Sequence, residues 1–163
     1  MPMDTGEVVA VTFQPLVSET ALQITEKRDG EVAYVGATGE IDLHGEEMLR
    51  RVLESSLSQG GYSVILDLRH VSYMDTGALK ILLETKRRTL GCGGELYILV
   101  EESLPKQVIY MAHLQDAVKM YETVDQALED IARRATCRGY FARSAARAEE
   151  PEGRETLLPY LDA

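Results

Sequence analysis

Tyr62 to Leu83 runs YSVILDLRHVSYMDTGALKILL. Tyr62 to Leu68 is a short apolar run rich in Val, Ile and Leu, the pattern of a strand covered on both faces. Asp75 or Thr76 then has the chemistry of a helix cap, and Leu79, Leu82, Leu83 and Leu90 predict the inward stripe of an amphipathic helix. A strand that ends at a carboxylate and turns into a helix puts Asp75, Thr76 and Gly77 at the carboxyl edge of a sheet. Free N–H groups at the helix start favour negative charge there. Open α/β sheets carry their working surface at that edge.

Upstream, Leu22–Thr25 and Val32–Thr38 bracket Arg28-Asp29-Gly30-Glu31, and Asp-Gly between two β-branched runs predicts an antiparallel hairpin. Gly39-Glu40-Ile41-Asp42 follows as a loop, then a helix with Glu46 and Glu47 in its first turn and Leu49, Val52, Leu53 and Leu57 on one face. Gly60-Gly61 ends it. Downstream, Gly91, Gly93 and Gly94 close the second helix, and Glu95–Val100 is another apolar strand, so a right-handed βαβ crossover is expected. Ser103 and Pro105 open a short helix carrying Val108, Ile109 and Ala112. Val118–Glu122 is a last short strand, and Thr123-Val-Asp-Gln126 has capping-box spacing for a helix with Ala127, Leu128 and Ile131 inside. The fold class is thus α/β: a single domain with a mixed sheet, an antiparallel hairpin at one side, βαβ units and helices packed on the sheet.

The expected boundaries are an arm or edge strand over residues 1–17, a domain over 18–135 and an appendix over 136–163, mobile or loosely docked. In the appendix Arg138, Arg143 and Arg147 alternate with alanines before the helix-breaking Glu149-Glu150-Pro151-Glu152-Gly153. Its apolar end, Leu157 to Leu161, offers a segment for docking on this domain or on a second copy, which leaves a homodimer open.

Twenty-seven acidic residues against 17 Lys and Arg give a net charge of −10. Nucleic acid and anionic lipid are therefore poor partners, since both rely on surplus positive charge. Cys92 and Cys137 lack neighbours at metal-ligand spacing and suit reduced thiols. His44, His70 and His113 fall in no metal or triad spacing, so no metal or cofactor is expected. With no run of about 18 apolar residues, the expectation is a soluble, cytoplasmic protein without membrane insertion.

The order hairpin, helix, strand, carboxylate turn, helix, Gly-Gly, strand, helix over residues 18–135 resembles the STAS domain of bacterial anti-sigma-factor antagonists. Three stretches carry the likeness: Gly39-Glu40-Ile41-Asp42, Ile65-Leu66-Asp67-Leu68 through Met74-Asp75, and the glycines before Leu96-Tyr97-Ile98-Leu99-Val100. The resemblance implies a non-enzymatic protein that binds an anti-sigma factor of the serine-kinase type and so releases a sigma factor. In the typical regulated member the kinase phosphorylates the second Ser of an Asp-Ser-Ser-Gly turn, and the modified antagonist lets go. Here Asp75 takes the Asp position, Thr76 the first Ser, Gly77 the acceptor Ser and Ala78 the Gly. A one-residue deletion would bring Thr76 onto the acceptor, but it would also rotate the leucine stripe toward water. At about 1.5–3 kcal/mol per large side chain, the ungapped register is preferred.

The interface this implies comprises Gly39, Glu40 and Asp42, the turn Asp75, Thr76, Gly77 and Ala78, and the outer helix face with Lys80, Glu84 and Arg87. Thr76 is the candidate phosphoacceptor. Asp42 also reads as a plain helix cap, and Thr76 and Gly77 as a cap with tight backbone approach. An alternative is a STAS scaffold subunit of a stress-signalling or lipid-transport complex. Asp-Thr-Gly is also an aspartic-protease loop, but such a site needs two carboxylates from two all-β lobes or subunits, so the enzyme reading is disfavoured.

Overall fold

The Asp29-Gly30 turn, with Gly30 at φ 57°, joins β2 (Gln23–Asp29) to β3 (Val32–Ile41) as an antiparallel hairpin. The structure, a computed structural model, describes residues 9–11, 21–59 and 63–146. The expected Gly60-Gly61 stop and everything beyond residue 146, including Leu157 to Leu161, lie outside the described residues. The chain divides into two units, Met1–Glu122 and Thr123–Ala163.

In the first unit β1 (Val9–Val11) adds to the hairpin antiparallel, and β4 (Ser63–Met74), β5 (Leu96–Leu99) and β6 (Lys119–Tyr121) extend it in parallel. The result is a six-stranded mixed sheet in the order β1-β2-β3-β4-β5-β6. The parallel steps are spanned by α1 (Leu43–Ser58), α2 (Thr76–Gly91) and α3 (Leu104–Met111). Alternate strand residues Ala33, Val35 and Ala37, Val64, Leu66 and Leu68, and Leu96 and Ile98 form one core cluster with Leu49 and Leu53 of α1, Ile81 and Leu82 of α2, and Val108 and Ile109 of α3. That period of two on the strands and three to four on the helices joins sheet and helices in one apolar layer, and Ile65, Tyr97 and Leu99, on the alternate positions of the central strands, are buried as well.

Several boundaries differ from the sequence expectation. β4 does not stop at Leu68 but continues to Met74, because its polar second half keeps pairing with β3 through Thr38–His70, Gly39–Val71 and Ile41–Met74. Gly39, Glu40 and Ile41 are consequently the end of a strand rather than a loop. On α2 the buried stripe is Ala78, Leu79, Ile81, Leu82, Thr85 and Thr89, while Leu83 is 38% and Leu90 48% exposed. Residues 78, 82, 85 and 89 share one face at helical period, and 83 and 90 lie about 100° further round. Ala112 caps the exposed end of α3 instead of facing the core.

In the second unit α4 (Val124–Ala146) starts at the predicted capping box. The Gln126 N–H donates to Thr123 Oγ1 and the Thr123 N–H to Gln126 Oε1, both at 3.3 Å. The helix runs past residue 136 without a break. Ala127 is buried but Leu128 is exposed, since it lies about 100° round the helix from its neighbour.

Candidate protein-binding face

Two strands end side by side at the carboxyl edge of the sheet, and each hands over to a helix at an aspartate. The Asp75 N–H donates to the Ile41 carbonyl (3.4 Å), tying the end of β4 to the end of β3. Gly39, at φ 108°, adopts a backbone that L side chains disfavour, and the register shift beside it lets β3 bend into α1.

Asp42 is the N-cap of α1, its Oδ1 accepting from the backbone N–H of Gly45 (2.9 Å) and of His44 (3.1 Å). Asp75, rather than Thr76, is the N-cap of α2 and accepts from Gly77 (2.9 Å) and Ala78 (3.4 Å). Each cap satisfies otherwise unpaired donors and is worth about 1 kcal/mol. Thr76, the first residue of α2, is exposed.

Gly77 stands against α1. A Cβ built on it would lie 2.2 Å from Glu46 Oε1 and 2.6 Å from Glu46 Cδ, so the Glu46 carboxyl occupies the space a side chain at 77 would take. Hydrogen bonding with the Asp75 carboxyl, partial burial and the Asp75 charge push Glu46 up to about 7, with Asp42 adding to the effect and Arg50 opposing it.

The candidate residues do not all share one surface. Lys80 and Arg87 are exposed on α2. Glu84 turns toward α1, where it pairs with Arg50, and Arg88 reaches Glu54 at 3.4 Å. These pairs line a polar groove between the two helices. Being partly exposed, each is worth at most about 1 kcal/mol. Ala78 is 1% exposed and belongs to the core, so its side chain is no contact surface. Leu43 (75% exposed) and Tyr73 (44%) flank the two caps, and nothing in the sequence around them tells an exposed apolar side chain from a buried one. In the sequence Glu46 is only a first-turn acid, and no local spacing links it to Gly77.

A family model of the STAS domain matches residues 23–127. The chain belongs to the STAS-domain family. Structures similar to this STAS chain include an anti-sigma factor antagonist from Mycobacterium paratuberculosis, at 20% identity and TM-score 0.62 over 72% of this chain and 99% of that one. The phosphorylated form of the Bacillus cell fate determinant SpoIIAA aligns at 21% identity and TM-score 0.54 over 68% and 99%. An anti-sigma-factor antagonist (STAS) domain protein from Planctomyces limnophilus aligns at 15% identity and TM-score 0.58 over 67% and 97%. At these identities the likeness to the three is one of fold. Among the described residues no helix is long and apolar enough to cross a membrane, and no group of three or more His, Cys, Asp or Glu is placed to hold a metal ion.

Asp75 Oδ1 is engaged by two backbone N–H groups as the cap of α2, and the Glu46 carboxyl lies against Gly77.

Proposed function

We propose that this STAS chain is a regulatory protein-binding module, an anti-sigma-factor antagonist of the cytoplasm whose partner is an anti-sigma factor of the serine-kinase type. The observation that carries the reading is family membership joined to an Asp75-capped α2 start, with Thr76 exposed, at the carboxyl edge of the sheet. The proposed contact face is the strand end Gly39 and Glu40, the caps Asp42 and Asp75, Thr76 and Gly77, and Lys80 and Arg87 on α2, with Leu43 and Tyr73 as apolar anchors. Exposed apolar side chains among charged ones suit the centre and rim of a transient interface. The position of the usual acceptor is glycine backed by Glu46, which supports an antagonist that is not switched by phosphate at this turn. Affinity capture from native extract, followed by calorimetry with the captured kinase-type protein, tests the reading. Capture of such a protein, with binding weakened by changes on this face, is expected; binding that ignores every change on the face overturns it.

A further inference from the structure

Charge is sorted along α4. Its three acids, Asp125, Glu129 and Asp130, all precede Ile131, and its four arginines, Arg133, Arg134, Arg138 and Arg143, all follow it. The helix dipole favours that order, but only within the first and last turns, and Asp130 and Arg133 lie further in. Where the two halves meet, charges pair within the helix, as Asp130 does with Arg134 at 3.9 Å. Toward the ends they cannot. Asp125 has Tyr121, Glu122, Leu128 and Glu129 three and four residues away, and Arg143 has Gly139, Tyr140, Ala146 and Arg147, so neither position has an opposite charge at helical spacing. Ala127 is buried, while Asp125, Glu129 and Thr136 are exposed on the other side of the helix. Position 143 follows Asp125 by eighteen residues, five turns at about 3.6 residues each, and so lies in line with it along α4.

We propose that this side of α4 pairs antiparallel with the same side of a second copy of the chain, about a two-fold axis. Inverting a helix of about 35 Å against its twin sets the acidic half of each against the basic half of the other. With the axis between Ala132 and Thr136, Asp125 falls opposite Arg143 of the second copy at both ends of the pair, and Ala132 falls opposite Thr136 near the middle. Leu128, 43% exposed, borders this seam and adds apolar area to it. A two-fold contact uses one surface twice and must be complementary to itself. A helix whose charge changes sign once, near its centre, meets that condition. Parallel pairing would oppose like charges instead. An anionic lipid or nucleic-acid surface fits less well, because it would meet Asp125 and Glu129 together with the arginines. The pairing does not rest on the proposed function.

The experiment is sedimentation equilibrium of the full chain in about 0.1 M and about 1 M NaCl, between which the reach of exposed charge shrinks from about 10 Å to about 3 Å. The expected result is a dimer at the lower salt whose dissociation constant rises about tenfold at the higher. Asp125→Lys and Arg143→Glu, each alone, oppose like charges at both ends of the pair and should sediment as monomers. Mixed in equal amounts they should form a heterodimer, since each then supplies the charge that the other lacks. The mixture also controls for folding, because a variant that had merely lost its helix would not be rescued by the other. Variants that dimerise as the parent does, or a mixture that stays monomeric, overturn the proposal. So does a parent that is monomeric at the lower salt, including one that instead gathers on phosphatidylserine vesicles or duplex DNA.

Discussion

The Tyr34 hydroxyl on β3 donates a hydrogen bond to Oδ2 of Asp67 on β4, across two parallel strands. Asp67 is only 4% exposed, and Arg69 completes its environment with Nε at 2.9 Å and Nη2 at 2.7 Å. Burial alone would raise the carboxyl, but the Arg69 and Tyr34 bonds outweigh it and hold Asp67 below the usual carboxylate range. Burial and the same carboxylate push Tyr34 up to about 12.

Asp67→Ala should therefore cost about 3 kcal/mol, because it strands a guanidinium and a phenol that are largely removed from water. Urea unfolding of the variant against the parent measures this. A folded-state value below the unfolded one means that the stability from Asp67 is present above about pH 4. It is lost as pH falls through the lower folded value. The parent's urea midpoint should fall below about pH 4 more steeply than that of the variant.

On α2, Lys80→Glu and Arg87→Glu should each weaken partner binding roughly tenfold, chiefly through the association rate, since exposed charges at a rim steer encounter. Thermal unfolding should be unchanged. Ala78→Glu should instead unfold the chain or lower its stability by several kcal/mol, because it buries a charge in the core between α2 and the sheet. Calorimetry and circular dichroism on the three variants separate surface from core.

Incubation with ATP and the captured kinase-type partner should leave the peptide from Asp75 to Lys80 without stoichiometric phosphate by mass spectrometry. Thr76 is exposed at a helix start that would tolerate a phosphate. Its hydroxyl is nevertheless one residue from the aligned acceptor position, and in-line phosphoryl transfer depends on close positioning.

His113 closes α3 at φ 55°, with the Leu114 N–H returning to the Ile109 carbonyl at 3.0 Å. Glycine adopts this left-handed conformation without a Cβ penalty. His113→Gly should raise stability by about 1 kcal/mol, seen as a higher urea midpoint with an unchanged slope.

Wherever the determining contacts are local, the sequence was legible. Asp29-Gly30, the Asp42 and Asp75 caps and the Thr123–Gln126 box all act within a few residues, and each predicts its element. The second half of β4 is hidden because Arg69, His70 and Ser72 interrupt Val71, Tyr73 and Met74, and the partner that holds them is the far end of β3. Leu83 and Leu90 looked internal by residue type, and only the orientation of α2 on the sheet shows which side is covered. In the candidate face the caps were visible, but the Glu46–Gly77 contact joins two helices and leaves no periodic trace.

The sheet tapers outward. Its central strands β3 and β4 span 10 and 12 residues, while β1 and β6, at the two margins, span three each. A margin that short presents few unpaired N–H and C=O groups, too few to template another chain as an added strand. Among the described residues such margins offer little backbone for edge-to-edge growth, and the longer stretch of open strand lies inside the sheet, where Leu68 to Met74 of β4 continue beyond the last pair with β5.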